Sequence, residues 1–307
     1  MCVLFLGAGI HSEPPDELRH IYPSKKKDFP LRGKELSEAL ADECIQRLDK
    51  ERKPAPDDPS LTEERQLKRK IREKQCEKEH EYLMQRRGEL QRTSWYYERL
   101  HRNRAALVEK ITDGVETDKK PSALVRALAE IDFPVVITTN YDRLFETALR
   151  RFDKQPEIRI YNPNDGAAAR DFRGNPDCRK PWLLKIHGCV SVPSSIVVTD
   201  EDYIRFVMRM GDHPDFGVVP QQIQVKLKNW VTLFVGYSLL DYNLRLLFRT
   251  LDRRTDPAEL SSKFSVDPSP DLLIKATYRT LVSFIEQDSW IFVPDLYQRI
   301  FGRPMPA

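Results

Sequence analysis

Four short, almost unbroken apolar runs punctuate the chain: CVLFL at 2–6, PVVITT at 134–139, WLLKIH at 182–187 and WVTLFVG at 230–236. Runs of this length, rich in β-branched and aromatic residues, read as strands buried on both faces, the pattern of a parallel sheet. Between them the spacing becomes helical, over 122–131, 141–152, 199–210, 217–228 and 239–252. A polar stretch rich in Pro, Gly and Asn (161–181) reads as loop. After a proline-marked loop at 256–270, TYRTLVSFIEQ (277–287) reads as the last strand, and a short helix comes after it. Strands alternating with helices predict an α/β fold: a Rossmann-like parallel sheet with helices on both faces.

Two segments interrupt that rhythm. His11 to Gly33 is rich in proline and charge, with Lys25, Lys26 and Lys27 at its middle, and reads as a long loop. Residues 34–49 carry Leu36, Leu40, Cys44 and Leu48 at a period of four, a helical stripe. KPAPDDPS then breaks the chain, and Ser60 stands where it can cap the next helix. Residues 61–112 are almost all helix formers and charge, with sparse apolar positions at Leu67 and Ile71 and denser ones from Leu83 to Ile111. They read as two or three helices partly facing solvent. The expected organisation is a core from 1–49 and 120–307 with a charged helical insertion at 50–119. That insertion is either a solvated excursion or a docking surface, in which case Trp95, Tyr96 and Tyr97 are its candidate docking or gating element.

Composition narrows the class. The 307 residues carry 50 Lys and Arg against 47 Asp and Glu, a net charge of +3, which is too balanced for wholesale nucleic-acid binding. With 40% hydrophobic and 32% charged residues the chain reads as globular. No apolar run approaches the roughly 20 residues of a membrane helix. The apolar N-terminal stretch has no basic leader and no cleavage site, so it is expected to be a strand and not a signal peptide. The five cysteines, at 2, 44, 76, 178 and 189, form no CxxC pair. That spacing predicts neither zinc ribbon nor disulfide framework, no metal site, and a reducing cytoplasm as the compartment.

Ligands of open doubly wound sheets bind beyond the carboxyl ends of the strands. Here those ends are Gly7-Ala8-Gly9, Asn140-Tyr141-Asp142, His187-Gly188 and Gly236-Tyr237-Ser238, each small, polar or ionisable. Gly7, Gly9 and Ser12 make GxGxxS, short of the third glycine of a dinucleotide fingerprint. Its glycines allow a tight turn whose free amides can hold a pyrophosphate, or they are a plain strand-to-loop turn. Asn140 is a carboxamide for a sugar hydroxyl or a water, or a helix cap, as Asp142 also can be. His187 is either a base near neutral pH or a core histidine bonded to backbone. Gly236 and Ser238 read as close approach to a ligand plus one hydroxyl, or as a turn and a cap.

GAGIHS, TTNYD, KIHG and GYSL, in that order, resemble the sirtuin motif set. The nearer resemblance is to the sirtuin-like NAD-cleaving domains of bacterial antiphage defence systems. It extends to FPLRGKELSEAL, KIHGCVSVPSSIVVTDEDY and FVGYSLLDYNLRLLFRTL. The resemblance implies a Rossmann-type NAD+ site in which Gly7, Ala8 and Gly9, with Ser12 adjacent, hold the pyrophosphate. Asn140 would orient the nicotinamide ribose and a water, His187 would be the general base, Asp142 would support the pocket, and Gly236 and Ser238 would touch the adenosine side. Departures are His11, where sirtuins typically carry Ser, Ile137, where the protein-deacylating members often have Asn, the missing zinc-binding cysteine pairs, and the helical insertion.

The activity so implied is hydrolysis of NAD+ to ADP-ribose and nicotinamide, as an antiviral effector that depletes NAD+. Such an enzyme requires control, by homo-oligomeric assembly or by a partner, which the resemblance nominates as a HerA-type ATPase or an Argonaute-like protein. The alternatives are a protein deacylase or ADP-ribosyltransferase, which the missing cysteine pairs argue against, and a non-enzymatic NAD+ or ADP-ribose sensor or scaffold. A dehydrogenase is more distant, since no acidic ribose ligand stands about 20 residues beyond the glycine turn in a βαβ unit.

Overall fold

The computed structural model describes residues 1–52, 62–163, 172–211, 218–239 and 261–307. Ser60 and most of the helix predicted over 239–252 lie outside the described residues. The chain divides into two compact units, one of Met1–Arg32, Thr112–Val197 and Asp202–Ala307, the other of Gly33–Ile111 with Val198–Glu201.

Among the described residues the first unit has seven parallel strands: β1 (Cys2–Leu6), β2 (Val135–Thr138), β3 (Glu157–Ile160), β4 (Trp182–Lys185), β5 (Val231–Val235), β6 (Lys263–Val266) and β7 (Val282–Ile285). They lie in the order β3-β4-β2-β1-β5-β6-β7. The apolar runs are continuous because both faces are covered. On β1, Val3 and Phe5 enter one core with Phe206, Ile223 and Tyr278, while Leu4 and Leu6 enter the other with Leu128, Phe145 and Trp290. In the chain order of the whole protein, the helices of this unit are α5 (Ala123–Glu130), α6 (Leu144–Arg151), α7 (Asp200–Gly211, which begins in the other unit's segment), α8 (Gln221–Asn229), α9 (Leu272–Tyr278) and α10 (Ser289–Phe301). The fold is the Rossmann-like α/β class.

Three details differ from the sequence pattern. β3 is an edge strand, half-buried at every position, and its EIRI alternates charge with apolar residues. β6 lies inside the segment read as loop. Its first residue, Lys263, is buried and satisfies its ammonium on the Ser261 carbonyl at 3.1 Å. Thr277 and Tyr278, read as strand, end α9, and β7 starts only at Val282.

The second unit contains α1 (Gly33–Arg52), α2 (Glu63–Arg86), α3 (Leu90–His101) and most of α4 (Arg104–Val115). α1 packs on α2 and α3. Its stripe of Leu36, Leu40, Cys44 and Leu48 is fully buried, as are Cys76 and Leu83 of α2. Polar ties bound this seam: the Ser37 hydroxyl donates to the Arg87 carbonyl at 2.8 Å, and the Tyr97 phenol donates to Glu43 Oε1 at 2.8 Å. The first half of α2 buries little, for Leu67 and Ile71 are 60% and 59% exposed. No described helix is long and apolar enough to cross a membrane.

Leu40→Ala, at 0% exposure, is expected to destabilise the chain by about 2–5 kcal/mol, whereas Leu67→Ala stays within about 0.5 kcal/mol. Denaturant unfolding of the two variants checks this.

Candidate active site

The sheet reverses direction at β1: the chain runs from β1 to β2 on one side and reaches β5 on the other. Ligands of such sheets bind in the crevice at this switch point. Here the turns after β1 and β5 touch backbone to backbone. The Gly7 amide donates to the Val235 carbonyl at 3.1 Å, and the Gly9 amide donates to the Gly236 carbonyl at 2.7 Å. A Cβ on Gly7 would lie 2.4 Å from the Gly236 oxygen, and a Cβ on Gly236 would lie 2.2 Å from the Ile10 nitrogen. Gly236 also has φ +66°, a left-handed conformation. The amides of Gly7 and Gly9, read from sequence as free to hold a pyrophosphate, are spent on β5 and its turn. The reason is proximity: the two turns are too close for anything to come between them. After the first turn the chain makes a 3-10 helix, Ala8–His11, and the Ser12 carbonyl accepts from the indole Nε1 of Trp290 at 3.1 Å.

The end of β2 contributes the polar centre. Asn140 donates its side-chain amide to the Gly7 carbonyl at 3.3 Å, while its backbone amide donates to Thr138 Oγ1 at 3.0 Å. Asp142 divides its carboxylate. Oδ1 accepts the Leu144 amide at 2.9 Å and turns the chain into α6, and Oδ2 meets Nε2 of His11 at 3.1 Å. The N-cap position of α6 falls on Arg143, so Asp142 turns the chain just ahead of the helix and does not cap it. His11 is the residue that sequence reading passes over as a mere departure. It is 5% exposed, and its Nε2 lies 3.3 Å from the Asn140 amide nitrogen as well. A carboxylate only accepts, so Nε2 carries the proton toward Asp142, and the Asn140 amide donates to Gly7. Among the described residues, Asn140 Oδ1 and His11 Nδ1 are buried here with no hydrogen-bond partner. Both residues stand at the switch point, and each leaves an acceptor free for a donor such as a hydroxyl.

Beneath them lies a buried ion pair. Lys185, the last residue of β4, reaches Glu146 Oε1 at 3.0 Å and also donates to the Asp142 carbonyl. Its side chain and that of Glu146 are 1% and 3% exposed. Burial is the largest influence on Lys185 and opposes its charge, but Glu146, Cys189 and Asp142 together outweigh it and hold the ammonium above its ordinary pKa. Burial likewise opposes ionisation of Asp142. The neighbouring His11 and Lys185, with the Leu144 amide, nevertheless hold its carboxyl below the usual range.

His187 stands two residues past β4, which pairs with β2 through Thr138 and Lys185, so it lies at the same sheet edge as Asn140. It is 3% exposed, and its ring meets Tyr203 and Phe206 edge-on, each at 5.5 Å between centroids. Its carbonyl accepts from Val197, and the hairpin it begins needs glycine next. Gly188 has φ +87°, and a Cβ there would sit 2.1 Å from the Ser195 oxygen. The Tyr141 carbonyl accepts from the Val190 amide, tying this hairpin to the end of β2. Gly7, Gly9, Gly236, Asn140 and Asp142 are thus drawn into one bonded cluster, and His187 flanks it on the next strand. Ala8 lies in the 3-10 helix, Ser12 lies at its end, and Ser238 is exposed beyond the β5 turn. Among the described residues no group of three or more His, Cys, Asp and Glu is placed to hold a metal ion.

A doubly wound parallel sheet with a glycine turn and polar side chains at its switch point is a Rossmann-like α/β protein. A family model described as "SIR2-like domain" matches residues 134–287, half of the chain, and the chain belongs to that family. Similar curated proteins include "NAD(+) hydrolase ThsA" of Acinetobacter baumannii (strain 532279), 26% identical over 149 residues, 48% of this chain and 28% of that one. "NAD(+) hydrolase ThsA" of Enterococcus faecium is 28% identical over 142 residues, 46% of this chain and 27% of that one. "Defense-associated sirtuin 2" of Bacillus subtilis is 25% identical over 165 residues, 52% of this chain and 15% of that one. The matched regions thus span less than a third of each of these relatives.

Gly302 has nearly the same φ as Gly236, +67°, but open space where a Cβ would go. Gly302→Ala is therefore expected to cost about 1 kcal/mol, and Gly236→Ala several times more, read from thermal melts of both variants. Because the folded Asp142 is held below its ordinary pKa of ~3.9, it stabilises the fold above that pH, and the contribution is lost as pH falls through the folded value. Asp142→Asn is expected to lower stability at pH 7 and to flatten its decline toward pH 3, measured by urea midpoints.

Proposed function

We propose that this chain hydrolyses NAD+ to ADP-ribose and nicotinamide, as the effector of an antiviral defence that depletes NAD+. The observation that carries this reading is the pair of unpartnered buried atoms, Asn140 Oδ1 and His11 Nδ1, at the switch point of a SIR2-like fold. The names of the similar proteins, NAD+ hydrolases and a defence-associated sirtuin, support it.

The chemistry needs little from the protein. The bond between the ribose C1′ and the pyridinium nitrogen breaks, and its electron pair goes to that nitrogen, so nicotinamide leaves neutral without an acid. Water adds to C1′ and gives up one proton. In this reading Asn140 Oδ1 accepts from a ribose hydroxyl or the attacking water and fixes its position. Asp142 and His11 keep the Asn140 side chain in place, and His187 takes the proton. Burial of His187 between Tyr203 and Phe206 keeps bulk water from the reacting carbon.

Nicotinamide release is expected to fall about 10²–10⁴-fold in His187→Ala and by a similar factor in Asn140→Ala, with NAD+ binding retained. Full turnover in both variants overturns the assignment. Binding without release in the wild-type chain, tried alone and with its partner, makes it a sensor. Control belongs to the same proposal: turnover depends on self-association or on a partner, with a HerA-type ATPase or an Argonaute-like protein as the candidates to co-purify.

A further inference from the structure

The helical unit holds a cleft of about 780 Å³ that has no part in the reaction above. One face of α2 lines it with Arg72, Gln75, Lys78 and Tyr82, and one face of α3 lines it with Arg92, Trp95 and Arg99. These spacings of three and four residues put each set on a single helical face. Arg102, which ends α3 in a left-handed conformation, adds a further cation.

The charge in this cleft is lopsided. Six Lys and Arg side chains face two carboxylates, Glu51 and Glu79, and both carboxylates are already engaged. Glu51 takes Arg72 and Arg47, and Glu79 accepts from the Tyr96 phenol at 2.5 Å. Arg92 pairs with Asp200 at 3.2 Å. Lys78, Arg99 and Arg102 are left with no acidic partner among the described residues. Beside them are two large aromatic surfaces, Trp95 at 40% and Tyr82 at 38% exposure. An exposed tryptophan next to three cations that no described carboxylate pairs suits one ligand chemistry well. A base stacks on the indole, and phosphate oxygens take the guanidinium and ammonium groups. An acidic peptide would satisfy the cations but not the indole. The volume lies within the range of small-molecule pockets, where a nucleic-acid strand would need a continuous groove.

We propose that this cleft binds a phosphorylated nucleotide, with the base against Trp95 and the phosphates on Lys78, Arg99 and Arg102. The proposal is independent of the reaction at the switch point.

Calorimetric titration of the full chain with ATP, inorganic tripolyphosphate and a single-stranded oligonucleotide tests it. ATP is expected to bind saturably. The double variant Arg99→Glu, Arg102→Glu should weaken ATP and tripolyphosphate alike. Trp95→Ala should weaken ATP by about tenfold or more while leaving tripolyphosphate unchanged, and Trp95→Phe should restore most of the loss. Thermal melts matching the wild type show that the variants fold. The proposal is overturned by no saturable ATP binding to the folded wild-type chain, or by equal ATP affinity in the wild type and the double variant, which puts the nucleotide elsewhere. It is also overturned by tripolyphosphate binding as tightly as ATP, which makes the cleft an anion patch, or by an oligonucleotide binding far more tightly than ATP, which makes it a strand groove.

Discussion

The contact between two glycine turns sets the terms for the rest of this site. The ends of β1 and β5 approach until the Gly9 amide meets the Gly236 carbonyl at 2.7 Å, with no room for a single added carbon on Gly7, Gly9 or Gly236. Once the turns are locked, the Gly7 carbonyl is a fixed anchor, and Asn140 hangs from it. The glycines therefore shape the crevice by holding its floor closed. What this anchor leaves over is the unpartnered side-chain oxygen of Asn140.

Around that floor, buried charges do the orienting. Lys185 joins Glu146 to the Asp142 carbonyl, and Asp142 in turn faces His11. A buried ion pair is weak grounds for stability, since desolvation opposes much of its attraction. Its effect here is geometric. Lys185 bonds to both Glu146 and Asp142, and Asp142 meets His11, so these contacts tie α6, β4, the β2 end and the glycine loop to one another. In that arrangement the ring of His11 and the amide of Asn140 have little freedom, which is what a reaction that depends on placing one water requires.

Much of this was legible in the residues. Strands buried on both faces are written as apolar runs, so the positions of Asn140, Asp142, His187 and the three glycines just past strand ends could be read from where those runs stop. What escaped did so for physical reasons. β3 is an edge strand without an apolar run, and β6 opens on a buried lysine, so neither has the local signature of its state. The partnership of His11 with Asp142 spans 131 positions and exists only because β1 and β2 are neighbours. The spent amides of Gly7 and Gly9 depend on a turn more than 200 residues away, and no local motif records that. The aromatic residues of α3 stand out in the sequence, and Arg99 and Arg102 follow them along the same helix, but Lys78 belongs to α2 and joins them only after folding.

One bond reaches further still. Trp290, buried at the start of α10 against Tyr22, gives its indole N–H to the Ser12 carbonyl, and so closes a loop that begins at residue 7. During synthesis the first strand leaves the ribosome long before either Gly236 or Trp290. At roughly 5–20 residues per second, that is a delay of tens of seconds. Until then the glycine loop lacks both the turn it packs on and the side chain that closes it. A nascent chain therefore carries no finished crevice until α10 has docked.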